Sequence, residues 1–153
     1  MQIQDIELLK DQLKNFNEPC VKAIVMFGSR ARGESKDRSD IDLLVLHENC
    51  NIEDMVIRRR YFYNILREAI GKEYEDITLI DMELKYFLKP YEINSLLLNI
   101  YYDSIAIYDK TGTIESFLKY VKNKIEESGL KRIKDGKAYY WILPKPLKEV
   151  KIL

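Results

Sequence analysis

Residues 28–42 carry the chemistry of this chain: Gly28-Ser29-Arg30-Ala31-Arg32-Gly33-Glu34-Ser35-Lys36-Asp37-Arg38-Ser39-Asp40-Ile41-Asp42. Gly28 ends a β-forming run at a point where the backbone must turn sharply and can approach a ligand closely. Ser29 adds a hydroxyl beside N–H groups freed at a helix start, and such a corner suits phosphate. Asp40 and Asp42 stand two apart in a β-run, so both carboxylates leave one face of the strand, separated by about two rises of 3.3 Å. Ile41 and Leu43 then point into the core. Two carboxylates this close repel each other and favour a divalent cation, and hard oxygen donors select Mg²⁺ or Mn²⁺.

A third carboxylate would complete a two-metal site, in which one ion activates an attacking oxygen and the other steadies a triphosphate and its leaving group. Asp76 is the candidate. In Tyr74-Glu75-Asp76-Ile77-Thr78-Leu79-Ile80 the alternation sets Asp76 against Ile77 and Leu79, as Asp40 and Asp42 are set against Ile41 and Leu43. If the two strands are neighbours the three acids converge; Glu75 and Asp81 are the competing assignments. Arg30 and Arg32 follow the phosphate corner, and Arg30 is the better placed to neutralise a triphosphate. Ser35, Lys36, Asp37 and Arg38 are expected in a mobile loop with solvated charges, and Ser39 as a turn residue.

The elements that must position these groups can be read from periodicity. Helical spacing of Ile3, Ile6, Leu9 and Leu13 predicts a helix over 3–15, stopped by Asn17-Glu18-Pro19. Strands are predicted at 21–27, 40–46, 74–80 and 104–108. Helices are predicted at 52–70, ending at Gly71, after Pro90 through Leu96, Leu97 and Ile100, and at 113–127, ending at Gly129. The stretch from Lys131 to Leu153 carries the cluster Tyr139-Tyr140-Trp141 and no assigned element. The expected fold is α/β (α+β), a mixed twisted β-sheet flanked by helices, with the helices on one side. One domain is expected over 1–153: a motif-bearing core at about 20–110 and a helical and aromatic C-terminal extension, 111–153.

Composition narrows the class. Lys+Arg 25 balance Asp+Glu 25, so the formal net charge is +0, and bulk electrostatic capture of nucleic acid is not expected. Arg58-Arg59-Arg60 is read as a solvated helix face. A chain of 153 residues can bury roughly 70% of the surface its unfolded form exposes and needs no disulfide or structural metal. Cys20, Cys50 and the single His47 cannot supply a four-ligand zinc site, and reduced thiols in a cytoplasm are expected. His47 is read as a surface or strand-end residue and Cys50 as an incidental loop residue. No signal-peptide core and no stretch of ~18 apolar residues is present, so neither export nor a membrane partner is expected. The 11 tyrosines either cover surfaces within the fold or form a partner-binding surface.

Gly28-Ser29, ten residues, then Asp40-x-Asp42, set in GSRARGES…SDIDLLV, resembles the signature of the DNA polymerase β-like nucleotidyltransferase superfamily, in particular its minimal nucleotidyltransferases of the MNT type. The resemblance covers roughly residues 20–110. It implies a polymerase β-like nucleotidyltransferase fold, ATP as the nucleotide, two Mg²⁺ ions, and transfer of a nucleoside monophosphate with release of pyrophosphate. On this chain Gly28 and Ser29 would hold the triphosphate, with Arg30 added to the nucleotide site by its place after the corner, Asp40 and Asp42 would bind both metals, and Asp76 the metal nearer the attacking hydroxyl.

Stand-alone proteins of this type resemble the antitoxin of HEPN/MNT toxin–antitoxin pairs, in which the nucleotidyltransferase adenylylates a tyrosine of the HEPN ribonuclease. A HEPN-type toxin is therefore the expected partner, and an oligomer is possible. Two alternatives stay open: a nucleotidyltransferase for an aminoglycoside-like small molecule, and a non-catalytic binding module that covers its partner.

Overall fold

The computed structural model describes residues 3–34, 40–72, 74–144 and 150–153. The expected loop of Ser35 to Arg38 and the turn residue Ser39 lie outside the described residues. Elements follow in the order α1 (Ile3–Gln12), β1 (Val21–Phe27), α2 (Gly28–Ala31), β2 (Ile41–His47), α3 (Met55–Ala69), β3 (Ile77–Glu83), α4 (Leu84–Leu88), α5 (Ser95–Asp103), β4 (Ile105–Asp109), α6 (Ile114–Glu127), β5 (Lys131–Asp135) and β6 (Ala138–Ile142). Four strands form a mixed sheet in the order β3-β2-β1-β4, with β2 and β3 parallel and β1 antiparallel to both its neighbours.

Helices cover both faces of this sheet, not one. Strands β1 and β2 are apolar at nearly every position, which marks strands buried on both sides. Ala23, Val25, Leu44 and Leu46 pack with Leu84 and Phe87 of α4, Leu97 and Ile100 of α5, and Leu118 and Val121 of α6. Ile24, Met26, Leu43 and Val45 pack instead with Leu9 of α1 and with Phe62 and Leu66 of α3. Local capping fixes where helices begin: Asp54 accepts the Ile57 N–H at 3.0 Å ahead of α3, and Asn94 accepts the Leu97 N–H at 2.8 Å ahead of α5.

Strand β3 starts three residues later than its alternation predicts and runs three residues further. The Arg67 guanidinium takes the carbonyls of Tyr74 and Glu75 at 3.2 and 3.3 Å, so these backbone groups serve a side chain before the ladder with β2 begins. At the far end the strand includes Asp81, whose side chain is 0% exposed. Its carboxylate accepts from His47 Nε2 at 2.8 Å, Arg58 Nε at 2.5 Å and Arg59 Nε at 2.6 Å. Burial opposes ionisation there, yet the hydrogen bonds from His47, Arg59 and Arg58 hold the carboxyl well below the usual range. His47 is thus a buried strand-end residue, and two of the three arginines read as a solvated face are spent on Asp81; Arg60 alone is exposed.

The thiols are also corrected. Cys20 and Cys50 form a disulfide with Cα atoms 5.1 Å apart, joining the residue before β1 to the loop after β2. The antiparallel pairing that places Val21 against His47 brings them together, which their separation of 30 residues does not reveal.

The C-terminal extension adds α6 to the core and then a hairpin, β5–β6, that periodicity left unassigned. Its signal was Asp135-Gly136, a turn dipeptide between two short runs, with Gly136 at φ +62°. Arg132, Tyr139 and Trp141 face inward, with the Trp141 indole donating to Asn99 at 2.9 Å and Arg132 to Asp103 at 2.6 Å.

Removing the charge that the buried cluster is built around tests this packing. Asp81→Asn leaves two guanidinium groups without their counter-charge and is expected to cost about 3 kcal/mol in urea denaturation; stability equal to the parent would show that the cluster does not support the fold.

Candidate active site

The site forms where β1 ends and β2 begins. Phe27 and Asp42 are cross-strand neighbours, and the chain turns at Gly28, with φ +77°, directly over Asp42. A Cβ at Gly28 would stand 2.0 Å from Asp42 Oδ2, so only glycine allows this approach, on grounds of both backbone angle and space. The short helix α2 then closes through Arg32 N–H to the Gly28 carbonyl at 3.2 Å, and Glu34 N–H reaches the Ser29 carbonyl at 2.9 Å. Ser29 is half-buried inside this turn.

Asp42 is half-buried and Asp40 exposed. Burial, reinforced by the charge of Asp40, pushes the Asp42 carboxyl up, against the hydrogen bond from Thr78 and the charges of Arg32 and Arg30. A carboxylate pair in this state, with hard oxygens on one strand face and a close backbone corner, fits a divalent cation carrying phosphate.

Asp76 arrives at the same end of the sheet. The Ile41 N–H donates to the Asp76 carbonyl at 3.1 Å, and the register pairs Ile41 with Ile77 and Asp42 with Thr78, so Asp76 stands beside Asp40. Its carboxylate, however, accepts the Tyr63 hydroxyl at 2.5 Å and the Ile77 N–H at 2.8 Å. The Tyr63 bond, then the Ile77 N–H, hold its carboxyl below the usual range. Among the described residues no group of three Asp, Glu, His or Cys side chains is gathered closely enough to hold a metal ion. The structure therefore brings Asp40 and Asp42 together at Gly28 and sets Asp76 alongside, turned to Tyr63. Of the competing acids, Glu75 is exposed and Asp81 is committed to His47, Arg58 and Arg59.

The arginines differ from each other. Arg30 is 6% exposed, and its guanidinium lies 4.7 Å over the Tyr74 ring, underneath the turn, with its charge still acting on Asp42. Arg32 bonds Glu34 at 2.9 Å and Asp103 at 3.3 Å and lies 4.4 Å over Tyr139. Glu34 also accepts from the Tyr139 hydroxyl and from Lys134, and Tyr139, then Arg32, bring its carboxyl down to about 2. The β5–β6 hairpin is thereby fastened to the residue that leads toward Asp40.

Sequence reasoning missed Thr78, Tyr63 and this Glu34–Tyr139 link. Thr78 had a signal, since it follows Asp76 at the period of the strand. Tyr63 and Tyr139 had none, because helix and hairpin meet the site only through tertiary packing. Gly28→Ala is expected to destabilise the fold by roughly 1–2 kcal/mol from the left-handed backbone alone, and to displace Asp42. Urea denaturation with nucleotide-binding measurements checks this; an alanine variant equal to the parent in both would contradict the close approach.

Residues 6–134 match the family described as nucleotidyltransferase domain. A protein of Methanocaldococcus jannaschii described as a putative protein adenylyltransferase is 29% identical over 134 residues, covering 77% of this chain and 84% of its own. Among solved structures, a toxin–antitoxin crystal structure with AMP-PNP is 20% identical with a TM-score of 0.48, covering 82% of this chain and 90% of that one. The toxin–antitoxin MntA-HepT is 19% identical with a TM-score of 0.43, covering 84% and 90%. The strand-to-helix corner at Gly28, the Asp40-x-Asp42 pair beside it and a family match over most of the sequence lead to one assignment: the chain belongs to the nucleotidyltransferase domain family and is a nucleotidyltransferase.

Proposed function

We propose that this nucleotidyltransferase moves AMP from ATP to a tyrosine hydroxyl of a HEPN-type ribonuclease partner, and so acts as the antitoxin of that toxin. The observation that carries the reading is the contact of Gly28 with Asp42: a backbone corner with no room for a side chain, pressed on a carboxylate whose neighbour two residues away is another. In this reading the turn at Gly28 and Ser29 cradles the triphosphate and Arg30 stiffens the turn from below through Tyr74. Asp40 and Asp42 would hold Mg²⁺, and Asp76, whose Oδ1 is bonded by Tyr63 and the Ile77 N–H, would join them near the acceptor through its other oxygen. Two such ions, when bound, supply neutralisation of the phosphates and a more nucleophilic acceptor oxygen.

The resemblance to MNT antitoxins supports the partner class, and the relative described as a protein adenylyltransferase supports a protein acceptor. We take residues 1–153 as one catalytic domain, a reading supported by α6 packing into the same cluster as β1 and β2. No helix among the described residues is long and apolar enough to cross a membrane. A cytoplasmic location is part of the proposal, and the Cys20–Cys50 bond fits it best in a cell whose intracellular proteins keep disulfides, as those of hyperthermophiles do.

The test mixes the purified chain with Mg²⁺, ATP and the protein encoded next to it, and weighs each protein by intact mass spectrometry. AMP increments on the partner are expected. Asp42→Asn should cut the transfer more than about a hundredfold by removing a ligand of the cation. It should fold at least as stably as the parent, since it removes a carboxylate whose ionisation burial and Asp40 oppose. Undiminished transfer by the folded variant would overturn the assignment.

A further inference from the structure

We propose that the chain is also its own acceptor and adenylylates Tyr63; this rests on the reading above, in which ATP binds at Gly28 and Asp76 faces the acceptor. Tyr63 lies on α3, partly buried against the core cluster that holds Phe62 and Leu66. That hydroxyl donates to Asp76 Oδ1 at 2.5 Å, while the Ile77 N–H holds the same carboxylate oxygen at 2.8 Å. The Ile41–Asp76 backbone bond puts Asp76 beside Asp40. The phenol is thus within hydrogen-bond reach of the carboxylate that would take its proton.

Three other tyrosine hydroxyls that donate to a carboxylate do not meet that condition. Tyr61 donates to Glu18 and Tyr102 to Glu126, neither of which belongs to the site. Tyr139 donates to Glu34, a carboxylate already engaged by Arg32 and Lys134. In the step proposed, Tyr63 Oη forms a bond to the α-phosphorus of ATP. The bond from that phosphorus to the oxygen bridging to the β-phosphate breaks, pyrophosphate leaves with the electron pair, and the phenolic proton passes to Asp76. The product is a phosphodiester on Tyr63 that can no longer donate to Asp76.

The experiment incubates the full chain alone with Mg²⁺ and ATP, follows pyrophosphate release, and maps the labelled protein by tandem mass spectrometry. The expected result is an increment approaching one AMP per chain, located on Tyr63 and absent from Tyr63→Phe and from Asp42→Asn. Labelling of the neighbouring protein without any increment on Tyr63 overturns this inference and leaves the proposed function standing. So does labelling of the chain at a different residue. Loss of partner labelling in Tyr63→Phe, with no increment on the parent chain, overturns it in favour of a positioning role for the phenol. Absence of pyrophosphate release and of any labelled protein overturns both readings.

Discussion

The contact on which the catalytic end depends is the one between the backbone at Gly28 and the carboxylate of Asp42. It exists because β1 and β2 are antiparallel neighbours in a register that ends with Phe27 against Asp42, so the turn after β1 must pass over the side chain. The approach leaves Asp42 half-buried, under a peptide and next to the charge of Asp40, where ionisation is opposed. A half-buried carboxylate beside a like charge is a cost to the fold, and a divalent cation would relieve it. Arg30 and Arg32 moderate that cost without cancelling it, since each has a second engagement: Arg30 on Tyr74, Arg32 with Glu34 and Asp103.

The rest of the molecule holds this corner from two directions. Sheet pairing continues through Ile41 and Asp76 into β3, and the far ends of β2 and β3 are locked by Asp81 with His47, Arg58 and Arg59. The disulfide fastens the same far end across β1 and β2. On the other side the β5–β6 hairpin reaches back through Tyr139 to Glu34, the last described residue before Asp40, and Arg132 stacks on Tyr139 and shares Asp103 with Arg32. An element distant in sequence is thereby fastened to Glu34, at the end of the turn that follows Gly28.

What the sequence made legible was the part of the site whose residue types are dictated by local geometry. A glycine at a left-handed turn and two acids at strand period are recognisable because each position tolerates few alternatives. The apolar runs of β1 and β2 were legible as strands, and their near-continuous character also carried the two-sided cover that the one-sided expectation overlooked. Asp81 was read as a competitor for the site because an acid in an otherwise apolar run normally faces water; its counter-charges sit on α3, more than twenty residues earlier. Cys20 with Cys50, and Tyr63 with Asp76, are likewise pairs that only the folded chain assembles. The hairpin left a local mark in Asp135-Gly136, but its docking depends on Asn99, Asp103 and Glu34, three partners in other elements.

The central claim is that Asp40 and Asp42 at the Gly28 corner take a divalent cation together with the nucleotide. Calorimetric titration of a non-hydrolysable ATP analogue, with and without Mn²⁺, measures that coupling directly. The account predicts nucleotide affinity at least about tenfold higher with Mn²⁺ in the parent chain, a difference of about 1.4 kcal/mol, and no such gain in Asp42→Asn. Equal affinity with and without the cation in the parent chain, or an undiminished gain in the variant, would contradict it.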